Sequence, residues 1–127
     1  MIVLDASAAV LALLNDGDSR RSLATRTVVV PHLADPEVAQ ALRAQVLRGT
    51  VRTDHARVAL ARWARLGTRR VAVVGLLARI WELRENLSAY DATYVAVAEA
   101  LGCELVTADG RLARAPGPRC AITVVRR

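Results

Sequence analysis

The sequence predicts an α/β domain built on a mostly parallel sheet. Short apolar or β-branched runs recur along the chain, at residues 2–4, 27–30, 104–107 and 121–125. Longer stretches of helical periodicity separate them, and Gly, Pro, Asn or Asp punctuates many of the junctions. Strands that alternate with helices are joined by crossovers, which favours parallel pairing and right-handed connections.

The elements follow in order. Ile2-Val3-Leu4 is a buried-type strand that ends in Asp5. Residues 8–14 read as a helix, Asn15-Asp16-Gly17-Asp18 as a turn, and residues 19–26 as one or two further helical turns. Thr27-Val28-Val29-Val30 is a β-branched strand stopped by Pro31. At Asp35-Pro36-Glu37 a helix starts: Asp caps, Pro takes the first helical position and Glu sits in the first turn. It runs to Arg48 and stops at Gly49. Thr53-Asp54 opens the next helix, which ends at Gly67, and Val71-Ala72-Val73 is a short strand or an extended entry. Val73, Leu76, Leu77, Ile80 and Leu87 repeat at helical spacing, with Arg79, Glu82 and Asn86 opposite. Ser88 starts a helix that runs through Leu101 and is capped by Gly102. Glu104 to Thr107 is a strand leading into Asp109-Gly110, a short helix spans residues 111–114, Ala115-Pro116-Gly117-Pro118 turns, and a last strand covers residues 121–125.

The 127 residues, 54% of them hydrophobic, suffice for one core, and one domain over residues 1–127 is expected. No apolar stretch has the length of a membrane span, and Met1 leads straight into the first strand, so neither a membrane location nor a signal peptide is expected and the cytoplasm is. Cys103 and Cys120 do not form a CxxC pair and read as inert thiols; His32 and His55 lack metal-ligand spacing. The formal charge is +6, and all 18 basic residues are Arg. Without Lys, a Walker-type phosphate loop and Schiff-base chemistry are excluded. A basic balance favours polyanionic partners. Aromatics make up only 3%, so a base-stacking platform is not expected, and RNA contact should run through Arg, backbone amides and metal.

Four acids stand where the sheet's carboxyl edge should be, the place where such folds bind ligands. Asp5 ends the first strand, Asp109 follows a later one, and Glu37 and Asp91 lie in first helical turns. Each has an ordinary reading as well: Asp5 as a cap, Glu37 as a partner of the helix dipole, Ser88 to Asp91 as a capping box, Asp109-Gly110 as a turn. Those readings give no reason for the four to converge. Gathered carboxylates repel unless a cation or proton lies between them. Mg²⁺ takes such oxygen ligands and keeps water on its remaining positions, and one or two such ions polarise a phosphate and activate water for in-line attack.

These residues resemble the motifs of the PIN-domain family. Asp5-Ala6-Ser7-Ala8 resembles the first motif, Pro31-His32-Leu33 through Glu37-Val38 and Ala41-Leu42 the second, Tyr90-Asp91-Ala92-Thr93-Tyr94-Val95-Ala96 the third, and Leu105-Val106-Thr107-Ala108-Asp109 the fourth. They fall in family order across the chain; the segment 48–70 carries none. Length and the Tyr-Asp-Ala signature are most similar to VapC toxins, the ribonuclease half of VapBC toxin–antitoxin pairs. The resemblance implies a three-layer fold with about five strands, Mg²⁺ or Mn²⁺ dependence, endonucleolytic RNA cleavage, a homodimer, and a VapB antitoxin whose C-terminal segment covers the site. Asp5 and Asp91 are then principal metal ligands. Glu37 and Asp109 bind a second ion or handle the attacking water, and Ser7 and Thr107 hold carboxylates or metal waters in place. Val58, Leu60, Trp63, Leu66, Leu76, Ile80 and Trp81 supply either core or a dimer or antitoxin face, with core favoured for at least half.

Two rival readings stand beside this one. An inert PIN-like module would grip antitoxin or RNA without cutting. A phosphotransfer domain would use Asp5 as nucleophile, but it lacks the partner Lys, and Ala6-Ser7 follows Asp5 where a second Asp is usual.

Overall fold

The computed structural model describes residues 1–126. Five short strands form one sheet: β1 (Ile2–Leu4), β2 (Val28–Pro31), β3 (Arg69–Val71), β4 (Glu104–Thr107) and β5 (Ile122–Val124). Their order is β3-β2-β1-β4-β5, and every pairing is parallel, so the "mostly parallel" expectation resolves to wholly parallel. Parallel central strands are covered on both faces, which is why β1 and β2 read as unbroken apolar runs and are buried throughout.

The helices are α1 (Ala6–Leu14), α2 (Asp18–Thr25), α3 (Ala34–Leu47), α4 (Thr53–Arg65), α5 (Leu77–Glu82), α6 (Ala89–Leu101) and α7 (Gly110–Arg114). The chain steps from β1 outward to β2 and β3, then returns to β4 and β5 on the other side of β1. With right-handed crossovers, reversing direction puts the two groups of helices on opposite faces, giving three layers. Helix α6 lies across the middle of one face, packed on β1, β2 and β4, and buries every residue from Ala92 to Ala98. Both its ends are specified locally. Ser88 Oγ accepts the Asp91 amide at 3.1 Å, and Gly102 takes the left-handed conformation (φ 63°) that ends the helix.

Three local expectations need correction. Asp35 does not cap α3. The helix begins at Ala34, one residue before it, and the Asp35 carboxylate makes tertiary contacts in place of a cap. It accepts Trp63 Nε1 at 2.8 Å and two nitrogens of Arg70 at 2.8 and 2.9 Å. This ties α3 to α4 and β3, with the Arg70 guanidinium 5.7 Å from the Trp63 ring centroid. Secondly, the stripe from Val73 to Leu87 is not one helix. A 3₁₀ turn over Val74–Leu76 precedes α5, and turns follow it. Gly75 weakens the first turn, while Ile80, Leu83 and Leu87 still bury themselves. Thirdly, β2 continues through Pro31, opposite Val71; the missing donor does no harm at the strand's last position, and His32 N resumes the ladder to Val71 O at 3.2 Å.

Of the seven residues left between core and interface, Trp63 and Ile80 are buried and Leu66 and Leu76 pack partly against the core. Val58, Leu60 and Trp81 are exposed. No helix among the described residues is long and apolar enough to cross a membrane.

Candidate active site

The sheet order creates a switch point. Connections leave β1 and β4 in opposite directions, and a crevice opens beyond their carboxyl ends. Asp5 sits there as the N-cap of α1, its amide donating to Val106 O at 3.1 Å. Its carboxylate is almost fully buried and accepts three hydrogen bonds: from Ser7 Oγ at 2.6 Å, from the Ala8 amide at 3.0 Å and from Thr107 Oγ1 at 2.5 Å. Both hydroxyls have their direction set. A carboxylate only accepts, so each hydroxyl donates to Asp5 and offers a lone pair elsewhere. Ser7 Oγ receives the Ala108 amide at 2.9 Å, and Thr107 Oγ1 receives the Asp109 amide at 3.0 Å. Ser7 and Thr107 thus stitch the end of β1 to the loop after β4, with the Asp5 carboxylate fixed between them.

The other three acids reach the same edge on separate elements. Glu37 lies in the first turn of α3, where its Oε1 accepts Tyr94 Oη at 2.6 Å. Asp91 lies in the first turn of α6. Asp109 caps α7, accepting the Arg111 amide at 2.9 Å, and pairs with the Arg111 side chain at 3.3 Å. Arg111, Asp91, Asp109, Asn86 and Ser88 line one cleft of ≈ 280 Å³.

Electrostatics divides the four. Burial, first of all, pushes the Asp5, Glu37 and Asp91 carboxyls above their ordinary values, and mutual repulsion adds to it: Asp5 feels Asp109, Glu37 feels Asp91 and Asp5, and Asp91 feels Asp5 and Asp109. Asp109 goes the other way, held below the usual range by its hydrogen bond with Arg111. The four therefore share one field, though among the described residues no three are drawn together into a finished metal-holding group. Three carboxylates whose charge is held at a cost, all hard oxygen donors, suit a hard divalent cation. The ordinary readings hold in part alongside: Asp5 caps α1, Ser88 caps α6 by accepting the Asp91 amide, and Asp109, read as a turn residue, caps α7.

Tyr94 is a site residue that sequence reasoning missed. It stands three residues after Asp91 on α6, hence on the same helical face, and that spacing was the available signal. Its phenol is buried, and burial followed by the Glu37 contact raises its pKa well beyond the usual phenol range, so it remains a donor to Glu37.

Comparison with known proteins agrees with this geometry. The PIN domain family model matches residues 2–118. Ribonuclease VapC9 of Mycobacterium tuberculosis is 55% identical over 127 residues, covering 100% of both chains. Among solved structures, PAE2754 from Pyrobaculum aerophilum superposes with a TM-score of 0.72 at 27% identity, over 97% of this chain and 83% of that one. A chain of VapBC2 from Rickettsia felis, bound to a promoter DNA fragment, shares the fold with a TM-score of 0.67 at 16% identity, over 99% of this chain and 100% of that one.

Proposed function

The chain belongs to the PIN-domain family, and from that premise we propose that it is the endoribonuclease toxin of a toxin–antitoxin pair, cutting RNA at a site that needs Mg²⁺ or Mn²⁺. The observation that supports this best is Asp5: a buried, triply hydrogen-bonded carboxylate at the sheet's switch point, facing the field of three further acids. The VapC ribonuclease name carried by a relative 55% identical over the full length supplies the substrate class.

On this reading Asp5 and Asp91 hold the metal, and Glu37 and Asp109 hold a second ion or orient the attacking water. Such an ion supplies Lewis-acid polarisation of the phosphate and a water acidic enough to attack near neutrality. The chain's own residues do the rest. Ser7 and Thr107 keep Asp5 from rotating, Tyr94 fixes one oxygen of Glu37, and Arg111 offers a guanidinium to phosphate at the cleft rim. Attack by water leaves a 5′-phosphate and a 3′-hydroxyl. A VapB-type antitoxin is the proposed partner, in keeping with the VapBC2 pair whose chain shares the fold; a homodimer acting in the cytoplasm is the proposed assembly.

Incubating purified protein with RNA in Mn²⁺ or EDTA, beside Asp5→Asn and Asp91→Asn, tests the reading. Cleavage should require the metal and both acids. Undiminished cutting by folded Asp5→Asn protein would remove the assignment, and RNA binding without any cutting would favour an inert module.

A further inference from the structure

A second cleft, of ≈ 370 Å³, opens beside the carboxylates and shares Ser7 with them. Val10, Leu14 and Val51 bring apolar surface to it, and Gln45, Thr50, His55 and Asn15, whose amide donates to Leu11 O, bring polar groups. Nothing in the catalytic arrangement uses these residues. Asp, Glu and Arg are all missing from the lining, so the cleft offers no permanently charged partner. The half-buried Gln45 amide and the exposed His55 ring make no hydrogen bond among the described residues. Thr50 Oγ1 donates its proton to Gln45 O at 3.1 Å, which leaves its lone pairs as acceptors. A slot lined about equally by apolar and polar groups suits a flat, hydrogen-bonding ligand.

Position selects which one. Ser7 donates to the Asp5 carboxylate at 2.6 Å, so the cleft begins one side chain from the proposed cutting site. Thr50 and Val51 sit on the loop between α3 and α4, flanked by the exposed Arg48, a cation suited to a backbone phosphate, and by Arg52, which pairs with Asp54 at 2.9 Å. We propose that this cleft holds one unpaired base of the substrate RNA next to the scissile phosphate, with Gln45, Thr50 and His55 reading its edge. The inference rests on the ribonuclease reading above and extends it from reaction to sequence preference.

The test separates the two. Full-length Asp5→Asn protein, which should bind without cutting, is titrated with single-stranded oligomers of A, C, G and U and with an abasic ribose-phosphate oligomer. The probes are the Gln45 side-chain amide and the His55 ring protons, followed by NMR. Distinctly larger shifts with at least one base-bearing oligomer than with the abasic one are expected, whether or not the wild-type protein cuts RNA. Equal shifts with the abasic oligomer, or no shifts at all, overturn the proposal; in the second case, shifts that arise only on adding a protein partner identify the cleft as a protein dock. In the cutting enzyme, Gln45→Ala and His55→Ala should weaken the base preference at one position beside the cut by about fivefold each, the effect of losing one hydrogen bond. A uniform loss of rate with the sequence profile unchanged would also overturn it.

Discussion

Thr107 illustrates how much one hydroxyl does. It is fully buried, donates to Asp5 Oδ2 and receives the Asp109 amide. Thr107→Val keeps the shape and removes both bonds. The expected result is a folded protein whose cleavage rate or metal affinity falls by about tenfold or more, as losing a ligand's hydrogen-bond support does; steady-state cleavage against metal concentration measures it. Tyr94→Phe should act more mildly and through Glu37, because only one oxygen of that carboxylate is released. At this scale the sequence was partly readable. Asp5 could be placed because strand ends are easy to find and the sheet's carboxyl edge follows from them, whereas Ser7 and Thr107 entered only through the family motifs they resemble. Tyr94 could not be told from a core aromatic, since its body is buried like one and only the phenol oxygen meets Glu37.

Among elements, α6 was the most legible, because Ser88 and Gly102 mark its ends by local chemistry. The start of α3 was misread. Asp35 has the residue type of a cap, and what draws it into the helix is Trp63 and Arg70, respectively 28 and 35 residues away, which no local pattern contains. The break before α5 was hidden because the apolar spacing there is compatible with one helix. The α5–α6 junction offers its own prediction. Arg79 Nε donates to Glu99 Oε1 at 2.7 Å, and the Arg119 amide to Glu99 Oε2 at 2.7 Å, so a half-buried carboxylate locks α5, α6 and the loop before β5 together. Burial alone would raise the Glu99 pKa, but the bonds from Arg79 and the Arg119 amide outweigh it and leave it below the usual glutamate range. The resulting stability is fully present above that ordinary range and disappears as pH falls through the lower, folded-state value. Glu99→Gln should cost about 2 kcal/mol near neutrality, and its urea midpoint should converge with that of the wild type in acid.

For the whole molecule, charge and topology act together. A surplus of +6 carried entirely by Arg meets a polyanion, so RNA affinity of the Asp5→Asn protein should fall about tenfold or more between 50 and 200 mM salt, scaling with the number of phosphates neutralised. Filter binding across a salt series checks this; a flat response would mean the Arg surface takes no part in binding. The α/β class followed from alternation of strands and helices alone, and that class put the candidate acids at the carboxyl edge of the sheet. The strand order did not follow, because it depends on which side of β1 the returning chain docks. That order also sets a schedule for synthesis. Asp5 leaves a ribosome long before the hydroxyl that holds its second oxygen, which comes from 102 positions later. A nascent chain can form β1, β2 and β3 first, but β4, the strand that closes the crevice, emerges only after α6. Translation interrupted before β4 therefore yields a fragment without its cutting edge, so a cell making an enzyme that attacks RNA meets the danger only once β4 has followed the first three strands.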